Sequence, residues 1–276
     1  MKNAINVGGC LLAVAPNGAR KSKADHPQIP LGAKELATTA KGCLAAGAAM
    51  IHLHVRNADG SHSLSAEHYA EAIAEIKKST NDGILIQVTS EAVGIYTADE
   101  QFEMIHKLQP TAVSIGLREI KNLDESIINK HFEAMRSAKI HPQLILYNEA
   151  DLVLYIDWLE RKVIPGKAYP ILLVIGKKMT EPSFDNSYLK PDFIDSLPAS
   201  SWMICAFGEN EFETAKLAAS LGGHIRIGFE NNSVLADGST AKDNAELIAQ
   251  AAAYLTENSI QLADIEQAIE IMKPDW

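Results

Sequence analysis

The hydrophobic positions of this chain alternate between two kinds of segment. Short, nearly continuous apolar runs such as 83–90 and 169–175 have the length and composition of buried strands. Between these runs lie longer segments with apolar residues three and four positions apart, as in 31–47. The alternation predicts eight strand–helix units followed by one terminal helix.

The predicted elements cover most of the 276 residues. Strands are expected over 4–15, 50–56, 83–90, 111–117, 143–147, 169–175, 202–207 and 224–229. Helices are expected over 31–47, 65–79, 97–108, 124–138, 149–162, 192–197, 211–221, 242–257 and 260–272.

This order of elements predicts the fold class. Nearly continuous apolar strands are typical of parallel sheets that are covered on both faces. Their alternation with helices, in a chain close to the roughly 250 residues that such folds need, predicts an α/β protein with a (β/α)8 TIM barrel, as a single domain over 1–276. A doubly wound open sheet is the alternative. No GxGxxG or GxxxxGK[ST] pattern follows a predicted strand, which disfavours the nucleotide-binding form of that alternative.

Charge and composition narrow the class of partner. The formal net charge is −10, which disfavours nucleic acid and anionic membrane surfaces as partners. No apolar run approaches the roughly 20 residues that a membrane span needs. The three cysteines, Cys10, Cys43 and Cys205, are far apart and form no CxxC motif, as expected for buried thiols in a reducing compartment. We therefore expect a cytoplasmic protein.

The strand over 50–56 carries two histidines near its end. His52 and His54 are two positions apart, so they project to the same face of a strand. Two parallel imidazoles can share a divalent metal ion, and zinc suits them best. The alternative is a pair of polar residues that are hydrogen-bonded in the core.

Further polar residues follow other predicted strands, at the end where barrel enzymes have their active sites. Glu230 follows the last strand, which lies near the histidine strand once a barrel closes, and is our candidate for a third metal ligand. Arg226 precedes it on the same face and needs an anionic partner. The alternative for Glu230 is an exposed loop carboxylate. The alternative for Arg226 is a structural ion pair.

A cationic loop follows the first predicted strand. It contains Arg20, Lys21 and Lys23, and it lies on the active-site side of a barrel. The functional interpretation is a clamp for a phosphate or carboxylate. The alternative is an ordinary solvated loop.

Two stretches resemble the signatures of one family, the β-keto acid cleavage enzymes. His52-Leu53-His54-Val55-Arg56, followed by Asp59-Gly60, is similar to its HxHxR…DG motif. The segment 226–232, Arg-Ile-Gly-Phe-Glu-Asn-Asn, is similar to its R-x-G-[LF]-E-[DN]-N motif, and the DG and NAEL patterns that follow this motif occur at 237–238 and 244–247. The layout of strands fits along nearly the whole chain.

The resemblance implies a zinc-dependent (β/α)8 barrel, commonly a homotetramer. Members condense a β-keto acid with acetyl-CoA to give acetoacetate and a new acyl-CoA. The resemblance assigns the zinc ligands to His52, His54 and Glu230, and it pairs Arg226 with an acidic neighbour that deprotonates the substrate. It places the keto acid's carboxylate and carbonyl at Thr89, Ser90 and Ser114. By position alone, the loop with Arg20 would face CoA.

Three positions depart from the family pattern. Asn231 stands where the family has the aspartate that takes the proton, and an amide cannot accept that proton at neutral pH. Ser90 is followed by Glu91 and Ala92 where the family has Thr-Gly-Gly, and Gln143 stands in a pattern that often has acids. We expect another carboxylate to replace the missing base, with Glu91 first and Glu149 second.

Two other functions remain as alternatives. One is a metal-dependent hydrolase on the same barrel, although hydrolases of that kind have the HxH pair on the first strand and further ligands later. The other is a catalytically weakened barrel that binds a keto acid or CoA. Turnover with and without acetyl-CoA separates the three.

Overall fold

A closed barrel of eight parallel strands is formed by the residues that the computed structural model describes, 9–177 and 182–276. The barrel strands are β1 (Leu12–Val14), β2 (Met50–Leu53), β5 (Leu85–Thr89), β6 (Ala112–Gly116), β7 (His141–Leu146), β8 (Tyr169–Ile175), β9 (Ala199–Ala206) and β10 (His224–Ile227). Two further short strands, β3 (Val55–Arg56) and β4 (His62–Ser63), pair with each other outside the barrel. The helices are α1 (Ala33–Ala45), α2 (Ala66–Thr80), α3 (Ala98–Leu108), α4 (Leu117–Ile120), α5 (Glu125–Ala138), α6 (Glu149–Glu160), α7 (Pro191–Ser196), α8 (Glu211–Ser220), α9 (Asn244–Glu257) and α10 (Ile265–Ile271).

The barrel strands follow the order β1-β10-β9-β8-β7-β6-β5-β2, so the TIM-barrel prediction is confirmed. β1 closes the barrel between β2 and β10, with Ala13 paired with Met50 on one side and Arg226 on the other. Only one strand therefore separates the strand of the two histidines from the strand of Arg226. The carboxyl ends of these strands meet at one rim of the barrel.

Apolar side chains fill both sides of the barrel wall. Ile51, Leu53 and Val55 point outward into the large core between strands and helices. Inward-facing apolar residues, among them Met50, belong to a second cluster, and helix α10 adds Met272 to it. The half of the barrel interior near the carboxyl ends of the strands is polar instead. The buried side chains there are His52, Gln87, Gln143 and Arg226.

The structure differs from the sequence prediction in three places. The histidine strand ends at Leu53, and Val55–Arg56 pairs instead with His62–Ser63 as a short antiparallel hairpin around the Asn57–Gly60 turn. A four-residue helix, Leu117–Ile120, directly follows β6. The terminal helix is shorter than expected, and residues 4–8 of the predicted first strand lie outside the described residues.

Two further expectations concern helices and thiols. No helix among the described residues is long and apolar enough to cross a lipid bilayer. Cys10, Cys43 and Cys205 are buried free thiols, as the sequence predicted.

Candidate active site

Three side chains converge at the carboxyl rim of the barrel. His52 Nε2 lies 3.1 Å from His54 Nε2, and Glu230 Oε2 lies 3.7 Å from the first nitrogen and 3.5 Å from the second. Both histidines are buried: His52 on β2 and His54 directly after it point into the barrel, while Ile51 and Leu53 face the helices. The alternation of the strand thus places both imidazoles toward Glu230.

Hydrogen bonds fix the orientation of the first histidine. His52 Nδ1 lies 2.8 Å from Gln87 Oε1, an acceptor, so Nδ1 carries the proton and Nε2 keeps its lone pair. The Gln87 amide in turn donates to Gln143 Oε1 at 2.9 Å. This chain of partners resembles the outer-shell contacts that orient histidine ligands at metal sites. Gln143, one of the departures from the family pattern, therefore has a role in positioning.

Two glycines let Glu230 approach the histidines. Gly228 has φ +146°, and a Cβ built on it would lie 2.4 Å from the carbonyl oxygen of Ala15. Gly18 has φ +61°, and a Cβ there would lie 2.7 Å from Glu230 Cγ. The Glu230 amide also donates to the Ala15 carbonyl at 3.0 Å. The turn after β10 is therefore packed directly on the end of β1.

The three residues fit a divalent metal ion. Ligand nitrogens on a tetrahedral zinc with bonds of about 2.0–2.1 Å lie about 3.3 Å apart, close to the spacing found here. Glu230 Oε2 is buried and has no hydrogen-bond partner among the described residues, which is costly unless a cation binds there. His52, His54 and Glu230 are also the only such group of potential ligands within the described part of the chain.

The protonation states favour the same role. Burial, together with the nearby Arg226 charge, holds the pKa of His52 well below its usual value, so the imidazole is neutral and able to bind metal. Burial alone would raise the pKa of Glu230. The positive charge of Arg226, supported by the two neighbouring imidazoles, outweighs burial and holds this pKa well below its usual range, so Glu230 is ionised.

Arg226 is a buried cation beside this group. Its Nη2 lies 3.3 Å from Glu230 Oε1 and 3.2 Å from Cys205 Sγ, while Nε and Nη1 have no partner among the described residues. The acidic neighbour of Arg226 is thus the potential metal ligand itself. Asn231 is buried too, and neither atom of its amide has a hydrogen-bond partner in the described chain.

A narrow cavity opens above these groups. Its walls come from seven of the barrel strands' ends or the loops after them. They are formed by His52, Thr89, Glu91, Glu119, Ile145, Tyr147, Val174, Lys177, Phe207, Arg226 and Glu230. A wider cleft of about 410 Å³ shares Glu91, Lys177, Phe207 and Glu230 with it. Its other walls are the cationic loop and Gly176 and Gly208.

The hydroxyl residues predicted to hold substrate are placed differently from one another. Thr89 lines the cavity. Ser114 Oγ donates to Thr89 Oγ1 at 3.3 Å, and Ser90 Oγ donates to the Ser114 carbonyl at 3.0 Å. Of these three described residues Thr89 therefore lines the cavity, whereas the hydroxyls of Ser90 and Ser114 support the ends of β5 and β6.

The two carboxylates predicted to replace the missing base lie in different places. Glu91 lines the cavity and forms ion pairs with Arg20 at 3.2 Å and Lys177 at 4.0 Å. Glu149 is exposed in the first turn of α6 and accepts a hydrogen bond from the Tyr188 hydroxyl at 3.0 Å. Glu149 does not belong to the walls of the cavity that the described residues form.

The cationic loop is held by Arg56, the last residue of the HxHxR motif. Its guanidinium donates to the carbonyls of Gly18, Lys21 and Gly60, which ties the loop to the β3–β4 hairpin. Arg20 and Lys21 face the wider cleft, whereas Lys23 turns away to Glu35 at 2.8 Å. Only two of the three cations are therefore available to a ligand in the cleft.

Sequence reasoning missed six residues of the cavity, and four of them are polar or aromatic. Glu119 lies on the unpredicted helix α4, and Tyr147, Lys177 and Phe207 directly follow the apolar parts of β7, β8 and β9. The rule that barrel enzymes place functional residues at strand ends would have found the last three. Lys177 Nζ lies 5.0 Å from the centre of the Tyr147 ring and 5.2 Å from that of Phe207.

The fold and these residues together define a TIM-barrel enzyme with a potential His-His-Glu metal centre at the carboxyl ends of its strands. The chain belongs to the beta-keto acid cleavage enzyme family, whose model matches residues 10–273. The predictions of this family and of a C–C bond-cleaving enzyme are confirmed.

Curated relatives match along almost their whole length. The chain is 26% identical over 275 residues to the 3-keto-5-aminohexanoate cleavage enzyme of Fusobacterium nucleatum subsp. nucleatum, covering 95% of this chain and 97% of that protein. It is 26% identical to the 3-oxoadipate:acetyl-CoA acetyltransferase of Cupriavidus necator, with coverage of 94% and 93%.

Solved structures support the fold. ObcA in its apo form superimposes with a TM-score of 0.69 at 16% identity, covering 91% of this chain and 66% of the ObcA chain. The type I 3-dehydroquinate dehydratase of Clostridium difficile gives a TM-score of 0.57 at 10% identity, covering 92% of this chain and 94% of that one. At these identities the likeness concerns the barrel alone.

Proposed function

We propose that this protein condenses a β-keto acid with acetyl-CoA, giving acetoacetate and a new acyl-CoA, with Zn²⁺ bound by His52, His54 and Glu230. The observation that carries the proposal is the convergence of these three side chains beside the buried Arg226, at the base of a cavity. The names of the relatives, which include an acetyl-CoA acetyltransferase, support acetyl-CoA as the second substrate.

The reaction requires a proton to leave the methylene carbon between the ketone and the carboxylate. Zinc held by His52, His54 and Glu230 would supply Lewis-acid stabilisation of the developing oxyanion, an effect worth several kcal/mol. We propose that Arg226, whose Nε and Nη1 are unpartnered in the described chain, binds the carboxylate, and that Thr89, which lines the cavity, binds the carbonyl or carboxylate oxygen. Fixed orientation of this kind is itself a large part of catalysis.

The exchange of groups balances without a further reactant. The methylene carbon forms a bond to the acetyl carbonyl carbon, its bond to the keto carbon breaks, and the CoA sulfur passes to that keto carbon. The proton that was removed returns to the methylene carbon. Acetoacetate and the new acyl-CoA are the products.

Arg20 and Lys21 are proposed to bind the phosphates of acetyl-CoA. We expect the double variant Arg20→Gln/Lys21→Gln to raise KM for acetyl-CoA roughly fivefold to thirtyfold, the factor that corresponds to about 1–2 kcal/mol. The salt dependence of KM should become flatter, because fewer charges attract the anion. Steady-state kinetics at several salt concentrations measure both effects.

Lys23→Gln is the matched control, since Lys23 lies on the same loop and pairs with Glu35 instead of facing the cleft. Its KM for acetyl-CoA should stay that of the wild type. If the double variant behaves like this control, the loop is solvated surface.

A panel of β-keto acids, each with and without acetyl-CoA, tests the function. Acetoacetate that forms only with acetyl-CoA supports the proposal. Hydrolysis that does not need CoA would identify a metal hydrolase, and binding of keto acid or CoA without turnover would identify a weakened barrel.

The family resemblance also leads us to propose a homotetramer, which sedimentation equilibrium would test.

A further inference from the structure

The cavity beside His52, Arg226 and Glu230 is also lined by a carboxyl group that has no role in the proposed reaction. Glu119 lies on α4, the four-residue helix inserted directly after β6. Gly116 ends β6, and a Cβ built on it would lie 3.4 Å from Glu119 Oε2, so the carboxyl group lies against the end of this strand. The short helix therefore presents Glu119 to the cavity that also contains His52 and Arg226.

Two donors hold the carboxyl group in place. Glu119 Oε1 accepts a hydrogen bond from the Ala92 amide at 3.1 Å, and Oε2 accepts one from Gln101 Nε2 at 2.9 Å. Gln101 is buried, and the same Nε2 also donates to the Ser90 carbonyl. Each carboxylate oxygen has a second lone pair. The group is thus fixed and can still accept a proton from a molecule in the cavity.

The surroundings make this carboxyl group more basic than an ordinary glutamate. Burial, reinforced by the negative charge of Glu91, raises the pKa of Glu119 to about 7, while the bonds from Ala92 and Gln101 and the charge of Lys177 act in the opposite direction. The other titratable or charged groups in the walls of the cavity are His52, Tyr147, Arg226 and Glu230. A general base works best when its pKa is near the working pH.

We propose that Glu119 is the proton acceptor of the reaction, in place of the carboxylate that Asn231 lacks. This inference rests on the proposed function. Glu119 takes a proton from the methylene carbon of the β-keto acid, and the electron pair of that C–H bond moves to the ketone oxygen as an enolate. After the C–C bond is exchanged, Glu119 returns the proton to the same carbon.

The other carboxylates of the cavity are committed elsewhere. Glu91 pairs with Arg20 and Lys177, and Glu230 faces the two histidines and Arg226. Each of these two carboxylates is thus occupied by cationic or imidazole partners. Among the described residues, the donors within hydrogen-bond distance of Glu119 are both neutral, namely the Ala92 amide and the Gln101 side chain.

Exchange of substrate protons with solvent measures the proposed step directly. A β-keto acid that the wild type turns over is incubated with enzyme in D2O without acetyl-CoA, and loss of its methylene proton signal is followed by NMR. Glu119→Gln should lower both this exchange and turnover by roughly 10²–10⁴-fold, as is typical of a lost general base. Metal content and the melting temperature should stay near those of the wild type.

Glu149→Gln is the matched control, because it makes the same change at an exposed glutamate outside the cavity. It should leave exchange and turnover unchanged. In the wild type, kcat/KM should rise with pH through about 7, because the base must be ionised.

A second variant keeps Glu119 and changes its neighbour. Glu91→Gln removes a charge that raises the pKa of Glu119, so the rising part of the pH profile should move to lower pH. If Glu91→Gln instead abolishes proton exchange while Glu119→Gln retains it, Glu91 is the base and the proposal is wrong. A tenfold or larger gain in turnover from Asn231→Asp would also overturn it, because the proton would then be taken at the family position.

The two proposals fail in different ways. If wild-type enzyme forms acetoacetate and Glu119→Gln exchanges protons at the wild-type rate, the role of Glu119 is refuted and the proposed function stands. If wild-type enzyme forms no acetoacetate from any β-keto acid, the proposed function fails first and Glu119 loses its assigned step with it.

Discussion

Replacing His52 by alanine should remove most of the metal from the purified protein. The wild type, prepared without added metal, should contain about one equivalent of zinc by elemental analysis, as expected for a single mononuclear site. His52 is one of the three proposed protein ligands, and its imidazole is oriented by the hydrogen bond to Gln87, so its removal should leave two ligands only. Loss of Lewis-acid stabilisation worth several kcal/mol should lower kcat/KM at least roughly a hundredfold.

His131→Ala provides the control for this experiment. His131 is a partly exposed histidine on α5, 2.8 Å from His106 and remote in the fold from the barrel interior. Its removal should leave both metal content and turnover near wild-type values. A His52→Ala protein with its full complement of zinc would remove the basis of the proposed metal centre.

Gly228→Ala should destabilise the protein and disturb the metal centre together. The added Cβ would lie 2.4 Å from a backbone oxygen, that of Ala15, at a φ of +146° that side chains rarely adopt. Backbone strain and overpacking of this kind each cost about 1–3 kcal/mol. We expect the free energy of unfolding to fall by about 2–5 kcal/mol in urea titrations, and metal content to fall because Glu230 lies two residues away.

A matched glycine isolates the steric part of this loss. Gly238 also has a positive φ, +84°, but a Cβ there would have no neighbouring atom within 4 Å. Gly238→Ala should therefore cost only the left-handed backbone penalty of about 1–2 kcal/mol. Equal losses of stability in the two variants would contradict the close packing of the β10 turn against β1.

Periodicity predicted much of this architecture because the relevant forces act along each element. The two-residue repeat of a strand determined that His52 and His54 share a face, whatever the rest of the fold. The eight apolar runs likewise predicted a parallel barrel, because strands that are buried on both faces occur mainly in parallel sheets covered by helices. Closure of such a barrel then brings Glu230 near the histidines.

The missed features depend on contacts that no local pattern reveals. Helix α4 has four residues, too few to show a helical period, so the sequence predicts no helix or strand around Glu119. Ser90 directs its hydroxyl to a carbonyl of the next strand, a choice made by strand register. The hydrogen bond between Gln87 and Gln143 joins residues 56 positions apart inside otherwise apolar strands.

The position of β1 has a consequence for folding and integrity. The strand that joins the two ends of the sheet is three residues long, and the ligands on either side of it come from opposite parts of the chain. A bound ion would cross-link β2 to the β10 turn across this seam, with a loop of more than 170 residues between His54 and Glu230. Binding that is confined to the closed state would suppress opening of the seam by mass action. The ion would then stabilise the closed barrel in addition to contributing to catalysis.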